Sequence, residues 1–315
     1  MNTESNAVPD SPLGSPAIAP AAMSVPRPFY WSVRRELWEN RSIYVAPLAV
    51  AAVVLLGSAI SLVGVPRSVR GAAALDLAMQ STMLAHPYAH IGMLLVATGI
   101  LVGIFYCLDA LHGERRDRSI LFWKSLPVSD LTTVLSKAII PFVILPLIIF
   151  VTTVVLQLIM LLMSSAVLLA TGAGVTTLWA RLPLFQMQLV LLYGLIVLAL
   201  WHAPIYAWLL LVSGWARRAA FLWAVLPLVA IGVFEWIAFH TSYFGSLMHD
   251  RVGGFAAHAF ALRQPGSAPV DPHFIPLALI APGKFLRTPG LWLGLAVAAI
   301  FLALAVRLRH YREPI

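Results

Sequence analysis

Between Glu114 and Arg118 five charged side chains stand in five successive positions, with Arg115, Arg116 and Asp117 in the middle. Ser119, Ile120, Leu121, Phe122 and Trp123 follow, and Pro127 interrupts the stretch. Glu114 and Arg118 are four residues apart, the spacing at which opposite charges support one helical face. The pattern predicts a short amphipathic helix at a membrane surface, its apolar side turned to lipid or to a partner protein. Ser129 is placed to cap the next helix, with Asp130 in that helix's electropositive first turn.

Elsewhere the residues that do chemistry are sparse. The only Gly-Lys pair, Gly283–Lys284, is followed by Phe285 and has no glycine five residues before it, so no phosphate-cradling Walker loop exists. The HExxH and GxSxG signatures of zinc proteases and serine hydrolases are also absent. His86 and His90 have a metal-like spacing, but Pro87 lies between them and no carboxylate or cysteine is adjacent, which argues against a metal site. The single cysteine, Cys107, allows no intramolecular disulfide. Three polar groups fall inside apolar runs: Gln157, His202 and Glu235. A charge at the bilayer centre costs about 2.5–3.5 kcal/mol on insertion scales. These three are therefore candidates for lining a substrate path or a subunit seam. Hydrogen bonding between helices is the other account of them. No catalytic residue and no cofactor bound by this chain is expected.

The elements that carry these residues follow from composition. The chain is 60% hydrophobic and only 11% charged, where soluble domains carry about 25% charged residues. An all-α integral membrane protein is predicted. The net charge of +8 lies in the connections, which suits anchoring at a lipid surface rather than nucleic-acid binding. Residues 1–28 hold six prolines mixed with Ala and Ser and read as a disordered tail before a transmembrane domain over 29–315. No Lys or Arg precedes Arg27, so a cleaved secretory signal is not expected.

Residues 29–44 form an interfacial helix on a helical wheel. Phe29, Tyr30, Val33, Leu37 and Tyr44 gather on one side, Ser32, Arg35, Glu36 and Glu39 on the other, and Trp31 and Trp38 flank them. Six runs are long enough to cross a bilayer: about 44–65, 91–111, 138–170, 184–213, 219–242 and 289–307. Pro141, Pro146 and Pro204 predict kinks in the third and fourth. With the N-terminus inside, the inner segments hold 14 of the 21 Lys and Arg residues and the outer segments 7. That excess puts both termini in the cytoplasm of a multi-pass protein of the cell membrane. The longest outer loop, about 243–288, contains the half-length apolar piece 274–283, which predicts a re-entrant segment.

The stretch from Glu114 to Lys137 resembles the membrane subunits of ABC exporters of the type-2 permease family. There the second span runs into Glu, basic residues, Gly-Thr-Leu, several apolar residues, Pro-Val-Ser, and Lys eight residues later. Here Glu114 and Arg115 take the first positions, Ser119 and Ile120 stand for Thr and Leu, Pro127, Val128 and Ser129 match, and Lys137 falls eight after Ser129. Arg118 replaces the usual Gly, and Arg116 a commonly acidic residue.

The resemblance implies a coupling helix between spans two and three, docking on a separate ATP-binding cassette ATPase subunit that holds ATP and Mg. It also implies a second permease subunit, identical or related, enclosing an export path. The coupling residues would be Glu114, Arg115, Arg118, Ser119, Ile120, Leu121, Phe122, Trp123, Pro127 and Ser129, with the large apolar ones as buried anchors. The function expected is export of an amphipathic, lipid-like, peptide or drug substrate. Rivals from other classes are an intramembrane enzyme using His202, Glu235 or His240 as acid–base groups, and a non-transporting membrane anchor of a partner ATPase.

Overall fold

Apolar runs of this length satisfy their backbone groups inside a bilayer by coiling into helices. The structure, a computed structural model, describes residues 26–73, 75–117, 129–172, 175–261 and 275–311. Among the described residues six helices are long and apolar enough to cross a membrane. No strand forms among the described residues; one isolated bridge joins Phe260 and Ile280.

The chain begins with α1 (Pro26–Glu39), so Pro26 to Pro28 belong to a helix rather than to the tail. Helix α1 stops at Asn40 instead of running on to Tyr44, and an elbow leads into α2 (Ser42–Ser61), which a 3-10 turn extends into α3 (Val65–Ala73). The rest of the predicted tail lies outside the described residues. Helix α4 (Leu77–Ala110) is much longer than its apolar core, because Asp76 caps it early, accepting from the Met79 N–H at 2.8 Å. Helix α5 (His112–Arg116) follows directly.

Helix α6 (Asp130–Ile139) passes through a π turn, Ile140–Ile144, into α7 (Leu145–Ala170). Proline removes one helical donor and crowds the carbonyl four residues back. The wider π turn at Pro141 accommodates that, and Pro146 sits in the first turn of α7. After α8 (Thr176–Arg181), the fourth apolar run is split by Pro204 into α9 (Leu184–Trp201) and α10 (Ala203–Trp215), with His202 at the break. Helix α11 (Ala220–Phe239) is followed by α12 (Tyr243–Gly253) and α13 (Phe255–Ala259). The apolar piece at 274–283 is not a continuous helix: it contains the 3-10 turn Leu277–Leu279, and α14 (Pro282–Arg287) starts only near its end. Helix α15 (Pro289–Tyr311) completes the chain.

Helix α4 is the centre of the bundle, touching α2, α7 and α10, while α15 lies along α10 and α1 along α6. Helices α2 and α11 are the least buried of the six long ones. Glycines set the closest approach to α4. A Cβ on Gly99 would sit 2.8 Å from Ile149 Cγ1, and one on Gly103 3.2 Å from the Tyr206 ring. A Cβ on Gly194 in α9 meets nothing within 4 Å. Gly99→Ala therefore destabilises the chain by about 1–3 kcal/mol through overpacking against the stiff, β-branched Ile149. Gly194→Ala is neutral or stabilising by up to about 1 kcal/mol. Thermal unfolding of the two purified variants in detergent checks the contrast.

Candidate functional site

At the end of the bundle where α1 and the last turns of α15 meet, six charged side chains form one network. Glu36, on α1, is 0% exposed and Lys137, on α6, is 2% exposed. The Lys137 Nζ donates to Glu36 Oε1 at 2.7 Å and lies 3.1 Å from Glu114 Oε1. Arg35 Nη2 bridges the same two carboxylates, at 2.9 Å from Glu36 and 2.8 Å from Glu114. Arg309 Nη1 donates to Glu114 Oε2, and its Nε reaches Asp130 Oδ1 at 3.1 Å. The Tyr106 hydroxyl donates to Glu36 Oε2 at 3.0 Å. Three carboxylates thus face three cations, drawn from α1, α5, α6 and α15.

Local structure delivers each group. The Ser129 Oγ caps α6 by accepting from the Thr132 N–H at 3.1 Å, as its spacing predicts, and this starts the helix that carries Asp130 and Lys137. The α1 face that reads as charged and solvated is in fact turned inward at Glu36. Protein cations and a tyrosine hydroxyl replace the water it would otherwise need. Half-buried Glu39, on the rim of the network, has its carboxyl raised above the usual range by that burial, and the Arg35 guanidinium 3.4 Å away opposes the shift. Arg115 is also buried, but points elsewhere: Nη1 donates to Gly214 O at 2.9 Å and to Ala216 O at 3.2 Å. With His112 Nδ1 3.2 Å from Ala216 O, this clamps α5 to the end of α10. Exposed Arg116 reaches its neighbour Asp117 at 3.1 Å.

Arg118, Ser119, Ile120, Leu121, Phe122, Trp123 and Pro127 lie outside the described residues. The segment they occupy leaves α5 and enters α6, and both of those helices are anchored in the network.

The three polar groups within the apolar runs have separate partners. Gln157 donates to Tyr88 O at 2.8 Å and accepts from the Gln188 amide. His202 stands with Nδ1 3.1 Å from the Leu198 carbonyl and Nε2 3.2 Å from the Val252 carbonyl, and the one N–H of its neutral ring donates to one of them, at the place where the break before α10 meets the end of α12. After α11 the chain turns at His240, in the left-handed region at φ 52°, so that Glu235 reaches forward. Its carboxylate accepts from Thr241 Oγ1 at 2.9 Å and from the Tyr243 and Phe244 N–H groups at 2.7 and 2.8 Å, capping α12. His202 and Glu235 are not brought together. Among the described residues no group of three or more His, Cys, Asp or Glu could hold a metal ion.

Arg35, Glu36, Tyr106 and Arg309 are the members that sequence reasoning missed. Lys137 had a motif position but no partner. The usable signal was a charged wheel face on α1 and a lone lysine at the head of an apolar span.

No known protein family, no curated protein and no solved structure matches this chain.

Removing one member leaves a buried opposite charge without its partner, which typically costs about 3–5 kcal/mol. Lys137→Met therefore lowers the melting temperature of the purified chain sharply. Adding Glu36→Gln to it recovers part of the loss, because the two changes share one interaction. Additive losses in the double variant would mean that the two side chains act independently.

Proposed function

We propose that this chain is the permease subunit of an ATP-driven exporter, moved by a separate ATP-binding cassette ATPase. The observation that carries the reading is the attachment of both ends of segment 118–128. Glu114 lies three residues before Asp117, and Lys137 eight residues after Ser129 in the helix that Ser129 caps, and the two meet 3.1 Å apart inside the network. A partner gripping that segment pulls on α1, α5, α6 and α15 together. The motif resemblance supplies the partner: a chain without a Walker loop depends on another subunit for ATP and Mg.

The coupling element that the resemblance implies falls between spans two and three, with Ile120, Leu121, Phe122 and Trp123 as its anchors in the ATPase surface. Helix α1 is the interfacial helix. Trp31 and Trp38 are exposed, and the Arg34 guanidinium lies 5.2 and 4.9 Å from their ring centroids. Aromatic and basic groups on one exposed helix suit the headgroup layer. Both termini then face the cytoplasm, as the Lys and Arg distribution requires. Two such permeases flank the export path, and nucleotide-driven closure of the ATPases alternates its access.

Trp123→Ala removes an anchor and leaves the network untouched. In a complex reconstituted with its ATPase, that variant keeps the wild-type melting temperature while substrate stimulation of ATP hydrolysis and ATP-dependent transport both fall, by about tenfold. Full coupling in Trp123→Ala would refute the assigned coupling helix. Glu114→Ala loses coupling and melting temperature together, because Glu114 belongs to the network.

A further inference from the structure

Helix α1 presents different chemistry inward and outward. Glu36 is 0% exposed, and Val33 and Leu37 pack against the apolar core. Tyr30, Trp31, Arg34 and Trp38 are exposed. Positions 31, 34 and 38 are three and four residues apart, so they form one stripe along the helix. The inward contacts fix which way that stripe points.

The stripe is built around a cation. The Arg34 guanidinium carbon lies 5.2 Å from the Trp31 ring centroid and 4.9 Å from that of Trp38. Contact with ring faces engages the flat of a guanidinium and leaves its N–H edge for an acceptor, and two parallel N–H groups match two oxygens of a phosphate. The acidic residues of the same helix are engaged elsewhere: Glu36 bonds to Lys137 at 2.7 Å, and Glu39 lies 3.4 Å from Arg35. Exposed Arg41 adds a second cation at the elbow. The next residue, Ser42, begins α2, one of the long apolar helices. A helix joined so closely to a span lies at the level of the lipid headgroups, where indole rings settle and phosphates are dense.

We infer that the outward face of α1 binds the phosphate of an anionic phospholipid. Trp31 and Trp38 lie against its glycerol and upper acyl carbons, and Arg34 and Arg41 against its headgroup. A zwitterionic lipid carries its own cation beside the phosphate and gains less from these arginines. One basic group near an anionic surface is worth about fivefold in binding. The bound lipid loads the charged end of the bundle, because Arg35 and Glu36 on the same helix belong to the network. The inference rests on α1 as an interfacial helix and needs neither the ATPase nor export.

The test uses the full-length chain in phosphatidylcholine nanodiscs doped with one of two photoreactive lipids, a phosphatidylglycerol or a phosphatidylcholine. Each carries a diazirine at the glycerol end of one acyl chain. After irradiation, the phosphatidylglycerol probe labels residues 30–45 at least about fivefold more than the phosphatidylcholine probe does. Arg34→Gln combined with Arg41→Gln brings that ratio close to one and leaves labelling by phosphatidylcholine as it was. Arg34→Gln alone lowers the ratio part of the way, and serves should the paired variant unfold. Arg67→Gln, which removes an exposed arginine on α3, leaves the ratio unchanged. Inorganic phosphate in large excess does not compete. A ratio that survives the loss of Arg34 and Arg41, or falls as far in Arg67→Gln, overturns the inference, and competition by phosphate replaces the lipid face with a free-anion site. Equal labelling of α1 by both probes overturns the inference and leaves the interfacial helix. Labelling of α1 by neither probe removes the interfacial helix as well.

Discussion

One ammonium group shared by two buried carboxylates governs this structure. Lys137 lies 2.7 Å from Glu36 and 3.1 Å from Glu114, and all three side chains are nearly or wholly out of solvent. Removing such charges from water costs several kcal/mol per ion. At an effective dielectric of about 20, attraction over 4 Å returns about 4 kcal/mol per pair. A single pair barely breaks even on those terms. Three carboxylates interleaved with Arg35, Lys137 and Arg309, with Tyr106 filling a remaining acceptor site, give every charge but Asp130 more than one partner in the network. The arrangement is favourable as a set and poor in any subset, so the helices that supply it are held to one relative geometry.

That rigidity contrasts with the middle and the opposite end of the bundle. There prolines interrupt the long runs: Pro141 within a π turn, and Pro204 at a break where the His202 ring meets the Val252 carbonyl. Beyond α11, short helices are held by end-on contacts. Glu235 caps α12, and Arg251 bonds to the Gly290 carbonyl while its guanidinium lies 4.3 Å from the Trp201 ring centroid. Burial lowers the Arg251 pKa, with Asp250 opposing, yet an arginine stays charged under any physiological condition. The proposed function calls for a stiff charged end acting on an interrupted apolar body.

The sequence made the spanning helices legible, because run length against bilayer thickness is a local property. The proline breaks and the Ser129 cap were legible for the same reason. The network was not. Glu36 and Lys137 are 101 residues apart, and Glu114 and Arg309 are 195 apart. A helical wheel gives the face that Glu36 occupies but not whether water or protein covers it. Glu235 reads from the sequence as a polar group within a span, but its bonds to Thr241, Tyr243 and Phe244 depend on a left-handed turn at His240, a non-glycine residue whose conformation no local rule predicts. The half-length apolar piece at 274–283 reads as a re-entrant segment by its length; in the structure it contains the 3-10 turn Leu277–Leu279, and Pro282 opens α14.

The account stands on the network acting as one body, and hydrogen–deuterium exchange on the Glu114→Gln variant tests that most directly. Glu114 lies on α5, but it bonds to α1 through Arg35 and to α15 through Arg309. Neutralising it is predicted to raise exchange together in α1, in the first turns of α6 and in the last turns of α15, while the interior of α7 keeps its protection. Faster exchange confined to α5, with α1 and α15 as protected as in the unmodified chain, would contradict the account.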